Sequence, residues 1–225
     1  MTREHFLRTA ILGFALLWLL SGATGCATSR GVLDVKIPST TNPTSGDAYK
    51  IVDVRDSRVF ELKPSSPSIP SLKNGEISDS AITSRAIARK RNGYGMAMGD
   101  ILLPEGGTVQ DLTRQAIARA FRESGLRVVS TGDPLWESAK PIEADILTLW
   151  AWMTPGFWSL SLDFDMRVRI RTALGAFREG EEAHGAIQLK TQGAGTKQWL
   201  NTITKGLEAF NLDLTQRVRN ARQGG

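Results

Sequence analysis

The chain has almost nothing with which to build a disulfide or a metal site. Among its 225 residues there is one cysteine, Cys26, and there are two histidines, His5 and His184. One cysteine forms no internal disulfide, and one Cys with two His falls short of a structural zinc site. Long apolar runs are also missing. The longest, residues 10–20 (AILGFALLWLL), has 11 residues and as a helix would span about 16 Å, roughly half of a hydrocarbon core. The charge is balanced closely, with 28 Lys+Arg against 23 Asp+Glu for a formal +5. With 41% hydrophobic residues the chain can nevertheless bury a core.

What is present at the start is an address. Arg3 and Arg8 precede the apolar run, the small polar stretch of residues 21–25 (SGATG) follows it, and Cys26 comes next. This is the order of a secretory leader, too short for a membrane span. Ala23-Thr24-Gly25-Cys26 resembles the bacterial lipobox, which places a lipid on Cys26 after removal of residues 1–25. Ala27 follows, not Asp, which in enterobacterial lipoproteins implies the outer membrane. Losing Arg3, Arg8 and Glu4 lowers the charge from +5 to +4. Outside the cytoplasm that charge points to anionic envelope surfaces, not nucleic acid. Several acyl chains on one residue suffice for stable anchoring.

Residues 26–47, rich in Ser, Thr, Pro and Gly, read as a flexible lipidated tether that could hold a first strand at the short alternation of 33–37. A periplasmic domain, residues 48–225, would follow. Residues 49–55 (YKIVDVR) read as a strand, and the prolines of 63–74 argue against regular structure. Thr108 precedes an apolar stripe (Val109, Leu112, Ala116, Ile117, Ala120, Phe121) with Asp111 three residues on and Gly125 at the stop, so a helix is expected. A second stripe (Leu200, Ile203, Leu207, Phe210, Leu214, Val218) predicts another over about 197–219. Between them residues 158–170 alternate, Trp158 to Ile170 on one side and Ser159, Ser161, Asp163, Asp165, Arg167, Arg169 on the other. Residues 142–153 and 183–192 are the expected hairpin partners, and 126–130 another strand. The expected fold is α+β: a mainly antiparallel sheet with two long helices packed on one face.

The lipobox, residues 51–58 (IVDVRDSR), the later 91–96 (RNGYGM) and the helix–strand pair 108–130 together resemble the YajG family of bacterial lipoproteins. The resemblance covers most of the mature chain. It implies an outer-membrane lipoprotein with a non-enzymatic envelope role, and it carries over no catalytic residues.

Residue by residue, catalysis has little to work with. His184 stands alone after cleavage, in an expected strand, with no serine in a nucleophile-elbow setting. Asp163 and Asp165 share a face with Arg167, Arg169 and Arg171, as in an ordinary solvated sheet. An envelope enzyme using such an acidic pair on cell-wall glycan or peptide is the alternative. Binding has two candidates. Arg85, Arg89, Lys90 and Arg91 precede Asn92-Gly93-Tyr94-Gly95 and could hold phosphate or carboxylate; the plainer account is a wet strand entering a turn. Trp150, Trp152, Phe157 and Trp158 bracket a hairpin tip and could form an aromatic platform, or could simply shield the sheet. No metal and no cofactor beyond the lipid on Cys26 are expected. The expected partners are the membrane and an envelope protein or anionic envelope component.

Overall fold

The computed structural model describes residues 30–92, 94, 96–156 and 158–224. The leader, Cys26 and Phe157 lie outside the described residues. Eight strands form one sheet: β1 (Gly31–Val32), β2 (Ala48–Asp56), β3 (Ala86–Arg91), β4 (Ala97–Leu102), β5 (Arg127–Val129), β6 (Lys140–Pro155), β7 (Leu160–Thr172) and β8 (Glu181–Thr191). The helices are a short α1 (Ser80–Thr83), then α2 (Val109–Glu123) and α3 (Thr196–Gln223).

The sheet forks along β6. On one edge β7 runs antiparallel to it from Ile142↔Thr172 to Pro155↔Leu160, and β8 continues beyond β7. On the other edge β2 pairs with the first half of β6 and β3 with the second half, both parallel. Outside β2 lies β5, and outside β3 lie β4 and then β1.

This corrects the expected mainly antiparallel sheet. It is mixed, with four of its seven strand pairings parallel (β1–β4, β2–β5, β2–β6, β3–β6). The physical reason is that alternation reports a half-buried strand but not the direction of its neighbour. Hairpins betray themselves by short turns, whereas parallel partners are joined by long crossovers that leave no local mark. The expected pair of long helices is also corrected. Only α3 is long, at 28 residues, or about 42 Å at 1.5 Å per residue; α2 has 15. Part of the stretch read as a tether packs on the sheet where it is described. Residues 31–32 pair with β4, Leu33 and Val35 are buried, and the Asn42 side-chain amide exchanges two hydrogen bonds with the Val128 backbone (2.8 and 2.9 Å).

One core lies beneath the helices. The α2 stripe packs on β2 and β5, with Tyr49 edge-on to Phe121 at 5.5 Å, and α3 packs on β7 and β8. Thr108 caps α2 by accepting from the Asp111 N–H (3.1 Å). The approach of α3 to the sheet needs glycine at two places. A Cβ on Gly185 would sit 2.3 Å from the Phe210 nitrogen, and one on Gly206 would sit 2.0 Å from the Phe164 ring. On the other face, the segment after β2 covers part of the sheet. Leu72, Ala86, Leu102 and Trp150 form a second small core, with Phe60, Ile77, Ile82 and Trp152 against it. Among the described residues no helix is long and apolar enough to cross a membrane.

Candidate functional site

The basic run is divided by the fold. Arg85, just before β3, donates through Nε and Nη2 to the Leu103 carbonyl (3.1 and 2.9 Å), so it ties β3 to the end of β4. Arg89 points to the Asp100 carboxylate, which is fully buried and 3.7 Å from the Arg89 Nε. Asp100 also accepts from Arg30 Nη2 (2.9 Å) and from the Lys73 N–H (3.0 Å). Burial pulls Arg89 below its usual pKa, and Asp100 opposes that shift. Burial lowers Arg91 too, with the Arg89 charge adding to the effect. Two half-buried guanidiniums in one strand therefore repel each other, and only Arg89 has the Asp100 carboxylate close by.

Lys90 and Arg91 line a cavity of about 480 Å³ at this end of the sheet. Its apolar wall comes from Met98 and Ile101 of β4, Met153 of β6, Leu160 of β7 and Trp199 of α3. Two features of α3 turn this wall into a polar receptor. The helix starts at Thr196 behind Gly195, which supplies no side-chain cap, and both residues line the cavity. The N–H groups of a first turn, with the helix dipole behind them, favour an anion. Trp199 is 1% exposed and its indole Nε1 has no hydrogen-bond partner among the described residues. Buried indole N–H groups are ordinarily paired, because leaving one unmade is costly. Cations, free helix N–H groups and an unmatched donor over an apolar wall suit an anionic group attached to an apolar body.

A larger cavity of about 570 Å³ lies between residues 37–40, α2 and β5. It carries Arg114, Arg119 and Arg122, of which the first two serve the fold. Arg114 donates to the Ile51 carbonyl (2.8 Å) and Arg119 to the Glu123 carboxylate (2.7 Å), while the buried Arg122 Nε has no hydrogen-bond partner among the described residues.

The tryptophans do not form one platform. Trp150 is buried beneath the segment after β2 and donates to the Pro67 carbonyl (3.2 Å), with Phe60 edge-on at 5.9 Å. Trp152 is half-buried beside it, and Trp158 stands at the β6–β7 turn, 84% exposed. The carboxylates are held separately. Asp163 accepts from Gln188 (2.6 Å) and Thr154 (3.2 Å); Asp165 accepts from Thr148 (2.6 Å) and meets His184 Nε2 at 2.7 Å. His184 is exposed, and its backbone N–H donates to Asp213 of α3. Among the described residues no cluster of His, Cys, Asp and Glu could hold a metal ion.

Three residues that matter escape the sequence. Arg58 has a side chain with no exposure, and every N–H it owns is used: two on Asp56 (both 2.8 Å), the others on Thr83, Ala86 and Leu149 carbonyls (2.8, 2.6 and 3.1 Å). Its only signal is Asp56 two positions earlier. Asp100 and Trp199 gave no signal, since each acquires its meaning from residues far along the chain.

No family model matches the chain, and no curated protein matches it. Among solved structures it is similar to an uncharacterised protein at 8% identity, over 87% of this chain and 98% of the other, with a TM-score of 0.37. It is similar to a Xanthomonas campestris protein of family DUF330 at 13% identity, over 85% and 91%, TM-score 0.38. A hypothetical protein from Chlamydia trachomatis gives 12% identity, over 80% and 95%, TM-score 0.27. Likenesses this remote carry no functional argument.

Proposed function

We propose that the chain is an envelope lipoprotein of YajG-like type, anchored to the outer membrane through a lipid on Cys26, whose periplasmic domain acts by binding and not by catalysis. The leader pattern and the placement of the sole cysteine support the anchor. The ligand is an anionic envelope component with an apolar part, of the kind a phospholipid or a lipid-linked phosphate provides. It lies in the cavity between β1, β4 and the start of α3, its anionic group toward Lys90, Arg91 and the first turn of α3. The single observation behind this reading is Trp199, which lines a cavity that also holds two cations and whose buried indole N–H has no partner among the described residues.

Two measurements test it. Radiolabelled palmitate enters the wild-type chain and not Cys26→Ser; label in the variant contradicts the anchor. Calorimetric titration of the full chain in detergent with short-chain phosphatidylglycerol gives saturable binding. Trp199→Phe keeps a ring but loses the donor, and weakens that binding about tenfold or more, as expected for one hydrogen bond to a charged group. Inorganic phosphate binds more weakly than the lipid, because it leaves the apolar wall uncovered. Equal affinity for wild type and Trp199→Phe contradicts this site.

A further inference from the structure

The two hairpin tips nearest the cavity end at the same side of the sheet. β3 and β6 are parallel and in register at Arg89↔Trp152, so the turn after Arg91 and the turn after Pro155 emerge together. Both tips are apolar and exposed: Tyr94 is 92% exposed, Met96 61% and Trp158 84%. The loop from β8 to α3 joins them, since Thr191 pairs with Leu160. Across the segments 89–99, 154–162 and 190–197 the sequence has five cations (Arg89, Lys90, Arg91, Lys190, Lys197) and no carboxylate.

The chain reaches the fold from this same side. β1 is parallel to β4 with Gly31 opposite Ile101, and Arg30 is bound to Asp100, so the described chain begins on the side of the sheet where β4 starts. Four residue steps separate Cys26 from Arg30, a reach of at most about 14 Å. Asp100 itself is three residues from the first residue of β4, about 10 Å along the strand.

We infer that this end of the domain rests on an anionic phospholipid surface, with Tyr94, Met96 and Trp158 at the headgroup level and Lys90, Arg91, Lys190 and Lys197 near the lipid phosphates. The inference rests on the anchoring reading, because a lipid on Cys26 is held within about 14 Å of Arg30, which lies at this end of the sheet. The residue types match the site. Aromatic side chains with one polar end prefer the membrane interface, and basic residues near the surface are drawn to anionic headgroups. It also brings the cavity, lined by Lys90, Arg91 and Leu160 at this end of the sheet, close to the bilayer from which an anionic amphiphile would come.

The test uses the full chain purified from membranes, with its acyl groups checked by intact mass. It is reconstituted into phosphatidylethanolamine–phosphatidylglycerol vesicles whose acyl chains are either ordinary or brominated near the headgroup. Subtracting the emission of Trp158→Phe from that of wild type isolates Trp158, and the exposed position lets the variant fold. Its emission should fall about twofold or more in brominated vesicles, as an interfacial ring would. The fall should weaken when phosphatidylcholine replaces phosphatidylglycerol; equal quenching there overturns the anionic surface. A lipidated chain whose Trp158 emission is the same in both vesicle types overturns the orientation and leaves the anchor standing. A chain whose mass shows no acyl group overturns the anchor and the orientation with it.

Discussion

The two ends of the sheet use charge in opposite ways. At the end where β3 turns into β4 and β6 into β7, the ends of β3 and β8 and the start of α3 carry cations, and exposed rings stand at the tips. At the other end, segments 130–140 and 172–182 carry Asp133, Glu137, Glu179, Glu181 and Glu182 against Lys140 and Arg178. There the charges close on the fold. Asp133 holds Arg127, Lys140 holds Asp47, Glu182 holds Arg169, and Arg217 reaches from α3 to Glu181 and Asp213. Its large rings are turned inward as well: Phe177 is fully buried, and Trp136 is half-buried under Lys50. The difference teaches that the excess positive charge is not spread over the molecule. It is concentrated at the end where the chain enters β1, beside the buried Asp100 carboxylate.

The comparison breaks if the cations of the cavity end turn out to serve the fold. The largest expected effect separates them from a cation that does. Arg58→Leu leaves the Asp56 carboxylate and three carbonyls without their partner, and should cost about 3–5 kcal/mol in urea unfolding. Lys90→Gln and Arg91→Gln should each stay within about 0.5 kcal/mol of wild type. A loss at Arg91 as large as that at Arg58 would make Arg91 a structural residue. Next in size is the seam between the ends. Gly206→Ala forces a methyl into the buried Phe164 ring, and overpacking of that kind costs about 1–3 kcal/mol despite alanine's better helix propensity. An unchanged unfolding midpoint would mean that α3 stands farther from β7 than described.

Much of the scaffold between those ends was legible. The Thr108 cap with its stripe became α2, and the alternation from Leu160 to Ile170 became the buried and wet faces of β7. Both signals are local and need only a period and a cap. The parallel partners of β6 were not legible, because nothing in β2 or β3 announces which distant edge it will join. Nor was the packing of residues 31–42, whose Ser, Thr and Pro content looks like a tether until Leu33, Val35 and Asn42 find β4, the core and β5. For the site, Lys90 and Arg91 were visible as part of a basic run. Their separation from Arg85 depends on Leu103, and Trp199 was hidden as one more apolar position on a helix.

Smaller effects sharpen the contrast at the acidic end. Arg217→Gln removes two ion pairs that are about one-third exposed, so after solvent screening the loss should be about 0.5 kcal/mol and should shrink in high salt. The smallest is a pH effect. The Leu135 N–H, and after it the Arg127 guanidinium, hold the Asp133 carboxyl below its usual pKa of 3.8. A carboxyl whose folded pKa is depressed stabilises the fold above its unfolded pKa, and that contribution is lost as pH falls below about 4 through the folded value. Stability measured from pH 5 downward should therefore fall less steeply in Asp133→Asn than in wild type. Parallel curves would show that Asp133 titrates alike in both states.

The central claim is that the cationic, aromatic end faces the bilayer and the acidic end faces away. Hydrogen exchange on the lipidated chain, in phosphatidylglycerol-containing vesicles and in detergent, tests it most directly. Exchange at Tyr94, Met96 and Trp158 should slow on going from detergent to vesicles, while exchange at Asp133, Trp136 and Glu179 stays the same. Slowing at the acidic end, or at neither end, would contradict the orientation.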